Sequence, residues 1–339
     1  MSVVTGEDAA PRVVGKPRVV VTRRLLPGNH TRMGELFDVV LNEDDRPLSR
    51  DELVAAMQDC DVLVPTVTDR IDAEIIAAAG ERLGLIANFG AGYEHIDMTA
   101  ARACGIMVTN TPGVFTEDTA DLTMALIILA TRRFGAAARL LHDGQWQGWG
   151  PSTMLGHSLG GKMLGIVGMG RIGQAVARRA VAFSLGVAYH NRNPMPAVLE
   201  RQLGARYEPD LDRLIAEADI LSLHCPATPE TENLLDERRL ASMKPEAYVV
   251  NTARGSLIDE DALVRALEEG RLGGAGLDVY HDEPKVHPRL LSLPNVITLP
   301  HLGSATFEGR EEAGNRIVAN IKAWADGHRP PDQVLEGIS

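Results

Sequence analysis

Residues Met163 to Gly173, MLGIVGMGRIG, restrict the possible folds of this chain more than any other stretch. Leu164, Ile166 and Val167 form a short apolar run of the kind a parallel sheet buries on both faces. The run ends at Gly168, and Gly170 and Gly173 complete the spacing G-x-G-x-x-G. Residues Gln174 to Ala182 suit a helix packed back on that strand. Strand, glycine triplet and helix in this order open a βαβ unit. One glycine serves the tight turn, one the close approach of backbone to a pyrophosphate, and one the helix–strand packing. The helix start adds unsatisfied N–H groups and a partial positive charge. Gly168, Gly170, Arg171, Ile172 and Gly173 therefore read as a dinucleotide-binding turn.

The chain has 339 residues, enough for about two domains with separate cores. Its net charge of −12 disfavours nucleic acid and anionic membrane as partners, but not a small anion held by a local arginine. Cys60, Cys104 and Cys225 lie far apart without metal-ligand spacing and read as reduced thiols, so no metal is expected. No apolar run suits a signal peptide or a bilayer span, and the expected location is the cytoplasm.

Residues 1–16 read as a flexible arm. Strands are expected at 18–22, 61–65, 83–88 and 106–108. Helices are expected at 72–79 and 95–104, and from a capping box at Ser49–Glu52 through Met57. This alternation implies parallel βαβ units. One long helix is expected over 116–141, apolar around most of its circumference. The loop 144–160 follows, with Trp146 and Trp149. After the glycine motif, strands are expected at 186–190, 219–224, 247–251, 275–279 and 296–299. Asp259 should cap a helix ending at Gly270, and a last helix over 314–325 precedes a polar tail. A dinucleotide motif in mid-chain suggests a cofactor domain inserted into a substrate domain. Ligands of open parallel sheets bind beyond the carboxyl ends of the strands, so the active site is expected in the cleft between the two.

Three polar residues stand at strand ends or loop starts in the second half. They are Arg254 in VNTARG, Glu283 in LDVYHDEP and His301 in LPHLGSAT. An arginine can grip a carboxylate with two parallel hydrogen bonds and polarise a neighbouring carbonyl. A histidine can protonate that carbonyl oxygen as hydride arrives. A carboxylate on the other ring nitrogen fixes the tautomer and favours imidazolium. These are the parts a 2-oxo-acid reductase needs. Taken singly, each has an ordinary alternative: a surface ion pair for Arg254, a solvated acid for Glu283, a satisfied core histidine for His301.

The segments GMGRIG, VNTARGSLIDEDAL, LDVYHDEP, LPHLGSAT, ANFGAGYEHID and TNTPG together resemble the signatures of the D-isomer-specific 2-hydroxyacid dehydrogenases. The resemblance spans nearly the whole chain and implies a catalytic triad of Arg254, Glu283 and His301. It also implies that backbone N–H groups of Ala91 and Gly92 bind the substrate carboxylate. The implied fold class is α/β, with two Rossmann-like parallel-sheet domains. These are a flavodoxin-like substrate domain (17–112 and 303–339) and an inserted NAD(P)-binding domain (113–302). A homodimer is implied, with the long helix and following loop in the contact. Further implied cofactor contacts are Thr116, Cys225, Pro226, Thr231, Thr252, Ala253, Asp278, His301 and Gly303, with Asp278 on the nicotinamide amide and Cys225 a packing thiol.

NAD-specific members of that family carry an Asp after the second Rossmann strand. Here His190-Asn191-Arg192 stands in that place. An acid would repel a 2′-phosphate, whereas Arg192 can pair with it and Asn191 can donate to it. NADP(H) is therefore favoured, with NAD(H) possible and Arg192 facing solvent as the alternative. Trp149 resembles the loop tryptophan by which glyoxylate/hydroxypyruvate reductases close the neighbouring subunit's pocket; simple dimer packing is its other reading. Glu283 argues against formate dehydrogenase, which has glutamine there. The chain ends at 339, short of the regulatory domain of many phosphoglycerate dehydrogenases. The expected activity is reduction of glyoxylate or hydroxypyruvate. Alternatives are a phosphoglycerate-like or D-lactate-like dehydrogenase or, in another class, a dinucleotide-sensing corepressor-like scaffold.

Overall fold

The computed structural model describes residues 15–335, so the expected arm lies outside the described residues except for its last two positions. The chain divides into two compact units, one of Met1–Phe115 with Thr306–Ser339 and one of Thr116–Ala305.

The first unit is a five-stranded parallel sheet of order β2-β1-β3-β4-β5. Its elements are β1 (Arg18–Val21), α1 (Pro27–Leu36), β2 (Asp38–Leu41), α2 (Arg50–Asp59), β3 (Val62–Val64), α3 (Ala73–Ala77), β4 (Leu85–Ala87), α4 (Met98–Ala103) and β5 (Met107–Thr109). Both faces are covered. Val19, Val21, Val62 and Leu85 pack toward α1 and the C-terminal helix, while Leu63 and Ile86 pack toward α2, α3 and α4. That is why the strands read as unbroken apolar runs. The capping box at Ser49 and Glu52 is formed, and α2 starts where it dictates. α1 and β2 have no counterpart in the sequence reading, because two glycines in ten residues blur the helical pattern of α1.

The C-terminal helix spans Phe307–Ala325, seven residues longer at its start than the periodicity predicts. Thr306 caps it by accepting from Gly309 N–H, ahead of two polar turns that hold few apolar residues. The tail beyond it is not merely polar. Gln333 bridges Thr109 antiparallel, and Val334 N–H donates to Val108 O at 2.8 Å, so this segment lies along the outer side of β5.

The second unit is a seven-stranded parallel sheet of order β12-β11-β10-β9-β6-β7-β8. Its strands are β6 (Met163–Val167), β7 (Gly186–His190), β8 (Ala205–Tyr207), β9 (Ile220–Leu223), β10 (Ala247–Asn251), β11 (Leu272–Leu277) and β12 (Val296–Thr298). Chain order reverses at β6, which lies between β7 and β9. A switch of this kind opens a crevice at the carboxyl ends of β6 and β9. The helices are α5 (Thr116–Thr131), α6 (Phe134–His142), α7 (Arg171–Ala182), α8 (Ala197–Leu203), α9 (Leu211–Glu217), α10 (Glu237–Ser242), α11 (Glu260–Glu268) and α12 (Pro288–Ser292). α11 is capped by Asp259, which accepts from Ala262 N–H.

The single helix expected over 116–141 is two. α5 ends at Thr131, Arg133 adopts the left-handed conformation (φ 56°), and α6 starts again at Phe134. The cause is tertiary. His157 N–H donates to Thr131 O at 2.8 Å, taking an acceptor from the helix end. Gly156 runs so close to the turn that a Cβ on it would lie 2.7 Å from Arg132 Cα. The strand expected at 275–279 is shifted to 272–277, because from Asp278 onward the backbone turns into the site described next. Among the described residues no helix is long and apolar enough to cross a membrane.

Candidate active site

The glycine turn stands at the switch point of the second sheet. Gly168 has φ +98°, and a Cβ there would lie 2.5 Å from Cys225 N, so turn and close packing both require glycine. A Cβ on Gly173 would lie 2.3 Å from Gly168 O, which is the close helix–strand contact. Gly170 is different. It is the N-cap of α7 without a side-chain cap, and a Cβ there would meet nothing within 4 Å. Open space before uncapped helix N–H groups fits the diphosphate of a dinucleotide. Arg171 and Ile172 form the first turn of α7.

Around this turn, Asn191 Oδ1 accepts from Met169 N–H at 2.8 Å, so part of its amide holds the glycine loop. Arg192 is exposed, and its charge contributes to lowering the Glu230 pKa, behind hydrogen bonds from Thr228 and the backbone. Burial pushes the Cys225 thiol up to about 11, which suits packing and not nucleophilic attack. Thr231 Oγ1 closes the loop after Pro226, donating to Pro226 O and accepting from Thr228 N–H, both at 2.8 Å.

The three residues singled out for chemistry come from the carboxyl side of the neighbouring strands β10, β11 and β12. His301 Nδ1 donates to Glu283 Oε2 at 2.8 Å, and Tyr280 N–H donates to Glu283 Oε1 at 3.0 Å. Burial alone would raise the Glu283 pKa. The His301 hydrogen bond and charge, the Tyr280 N–H and the nearby Arg254 charge outweigh it, and the carboxyl is held below its ordinary value. With Nδ1–H committed to the carboxylate, the tautomer is fixed and Nε2 is the ring atom left for chemistry. Both side chains are about one-third exposed (33%), so the pair is open to a ligand. His301 is itself left-handed (φ 55°), a conformation uncommon for a non-glycine residue and frequent at functional sites.

Arg254 follows β10. Asn251 bridges this turn, its Nδ2 donating to Arg254 O at 2.8 Å and its Oδ1 accepting from Ala253 N–H at 3.0 Å. Gly255 welds it to the Glu283 loop, since a Cβ there would lie 1.9 Å from the carbonyl carbon of Tyr280. Asp278 is buried, and its carboxylate oxygens accept from Leu302 N–H (2.7 Å) and Gly303 N–H (2.8 Å), while His301 N–H donates to Asp278 O at 2.9 Å. Burial pushes the Asp278 pKa up against those two N–H donors. Asp278 thus braces the backbone that presents His301. Two hydroxyls of α5 pin the same loops: Thr123 pairs with Thr252 at 2.8 Å, and Thr119 donates to Gly303 O at 2.9 Å. Thr116 is the first residue of α5.

In the first unit, Ala91 and Gly92 lie in the loop after β4. Neither N–H finds an acceptor among the described residues, whereas Asn110 Nδ2 donates to Ala91 O at 2.7 Å and Asn88 Nδ2 to Gly92 O at 2.8 Å.

A family profile described as D-isomer specific 2-hydroxyacid dehydrogenase, NAD binding domain, matches residues 124–303. The glyoxylate reductase of Thermococcus litoralis is 43% identical over 328 residues, covering 95% of this chain and 98% of that one. The chain belongs to the D-isomer-specific 2-hydroxyacid dehydrogenase family. A solved structure of a Thermus thermophilus protein is similar at TM-score 0.87 and 45% identity, over 94% of this chain and 100% of that one. The NADPH-dependent glyoxylate/hydroxypyruvate reductase of Sinorhizobium meliloti, solved with NADP and malonate, is similar at TM-score 0.85 and 36% identity, over 95% and 98% of the two chains.

Several residues that shape these loops within their own units are given no role in the sequence reading: Asn88 and Asn110 in the first unit, Asn251 and Gly255 in the second. The usable signal for Asn88 and Asn251 is an asparagine at or directly after the end of an apolar strand, just before a turn, where its amide can bond the backbone that follows. Trp149 is 86% exposed and lines an apolar pocket with Ala137 and Leu141 of α6.

Proposed function

We propose that this dehydrogenase is an NADPH-preferring reductase of small 2-oxo acids, with glyoxylate and hydroxypyruvate as its substrates. The observation that carries the reading is the His301–Glu283 pair at 2.8 Å, its free ring nitrogen open to a ligand beside Arg254. A bound nicotinamide dinucleotide supplies the hydride for the carbonyl carbon. Gly168, Gly170, Arg171, Ile172 and Gly173 would hold its diphosphate, with Thr116, Cys225, Pro226, Thr231, Thr252, Ala253, Asp278, His301 and Gly303 along it. His301 Nε2 gives the proton to the carbonyl oxygen, and Glu283 stabilises the imidazolium that does so. Arg254 grips the substrate and offsets charge growing on that oxygen. The N–H groups of Ala91 and Gly92 bind the carboxylate.

Arg192 supports NADPH over NADH, as an exposed guanidinium without an acid in the place that would repel a 2′-phosphate. A second copy of the chain is the proposed partner. α6 has no buried residue, and Phe134, Leu141, Trp146, Trp149 and Leu155 are exposed along it and the following loop. Such an apolar face on nine helical residues is more than an isolated chain usually leaves to water. Trp149 would close the pocket of that second copy. Free thiols at Cys60, Cys104 and Cys225 support the cytoplasm as location.

The test is a panel of glyoxylate, hydroxypyruvate, pyruvate and bulkier oxo acids, each with NADPH and with NADH. Turnover strongest with the two small acids and NADPH is expected. Poor turnover with every acid would mark a scaffold instead. Light scattering should give twice the chain mass, and half of that for Leu141→Asp.

A further inference from the structure

We propose that Asn88 and Asn110 are positioning residues whose side-chain amides aim the N–H groups of Ala91 and Gly92 at the substrate's carboxylate. The proposal rests on the carboxylate-binding reading of this loop. Asn88 directly follows β4 and is fully buried. Its Nδ2 donates to two carbonyls, Gly90 O at 3.2 Å and Gly92 O at 2.8 Å, and its Oδ1 faces His95 Nε2 at 3.0 Å. Carbonyls only accept, so the amide orientation is fixed and His95 Nε2 must carry the proton. Asn110 Nδ2 takes Ala91 O at 2.7 Å, and Thr111 N–H adds a second donor to Gly90 O at 3.0 Å. The carbonyl oxygens of three consecutive residues are thus all gripped by donors of this unit.

Peptide planarity turns that grip into an aim. The only cis bond among the described residues is Glu283–Pro284, so the loop peptides are trans, with C=O and the following N–H pointing opposite ways. Fixing Gly90 O directs Ala91 N–H away from Asn88 and Thr111. Fixing Ala91 O directs Gly92 N–H away from Asn110. Two neighbouring N–H groups face out with no acceptor of their own, the arrangement that binds an anion. Both amides are neutral, so they orient the loop without adding a negative charge that would repel an oxo acid.

The test uses the full-length chain with NADPH, glyoxylate as substrate and oxamate as a carboxylate inhibitor. For Asn88→Ala, KM and the oxamate inhibition constant should both rise about tenfold, the loss expected for one charge-assisted hydrogen bond. kcat and the NADPH dissociation constant should stay within about twofold. Asn110→Ala, which frees one carbonyl only, should raise both constants by about threefold. Met57→Ala, in the core of the same unit, should lower the thermal midpoint and leave both constants unchanged. Unchanged constants in Asn88→Ala, or an equal rise in Met57→Ala, overturn the proposal. Should Asn88→Ala not fold, Asn110→Ala decides on the same readouts. A wild-type chain that reduces no oxo acid and binds no oxamate overturns the carboxylate reading and this proposal together. Active wild type with flat variants overturns the proposal alone.

Discussion

Both units fix polar loops with neutral amides, Asn88 and Asn110 in the first and Asn251 in the second, but only the second adds charge. In the first, the loop at Gly90–Gly92 is held by neutral amides and backbone donors. In the second, the loops carrying Arg254, Glu283 and His301 are held by charge, by a buried carboxylate at Asp278, and by backbone packed too tightly for a Cβ at Gly255. On the proposed roles, the difference follows from what each must do. A loop that only binds an anion needs directed N–H groups and no titration. A group that moves a proton needs a charged neighbour to set its tautomer, and rigid backing to keep that neighbour in place.

The contrast can be broken by substitution. The largest effect is expected for His301→Asn, which removes the proton donor and should lower kcat by about a thousandfold. A variant that keeps wild-type turnover would end the assignment. Arg254→Ala should cost about a hundredfold in kcat/KM for glyoxylate, and Arg254→Lys should recover only part because a lysine cannot make the paired contact. Gly255→Ala forces a Cβ against the Tyr280 carbonyl carbon and should destabilise the second unit by about 2 kcal/mol, seen in denaturant unfolding. An unchanged midpoint there would show that the two loops are not welded. The smallest effect concerns pH. The Glu283 carboxyl is depressed below its ordinary value of 4.5, so its ion pair contributes fully above that pH and is lost as pH falls through the lower folded value. The gap in thermal midpoint between wild type and Glu283→Gln should close as pH falls well below 4.5. A gap persisting at strongly acidic pH would place the pair's worth elsewhere.

Local signals were readable. The glycine triplet, the Ser49 box and the Asp259 cap each involve residues within a few positions of one another, and the structure forms them all. The catalytic candidates were readable because each falls where a strand meets a turn. What escaped depends on distant chain. Nothing between Thr116 and Phe134 announces the end of α5; His157 and Gly156 impose it from across the fold. The first turns of the C-terminal helix hide because Phe307 and its polar neighbours face water, where apolar periodicity carries no information. The Asn110 amide acts on the Ala91 carbonyl 19 residues back along the chain, a pairing that no local residue pattern encodes.

The strip of chain at Asp332–Val334 has a practical consequence. Without it, β5 would present a bare row of peptide groups, the kind of margin along which separate molecules zip together. Cutting the chain just before Asp332 should therefore yield clumping protein, and tags are better attached at the other terminus.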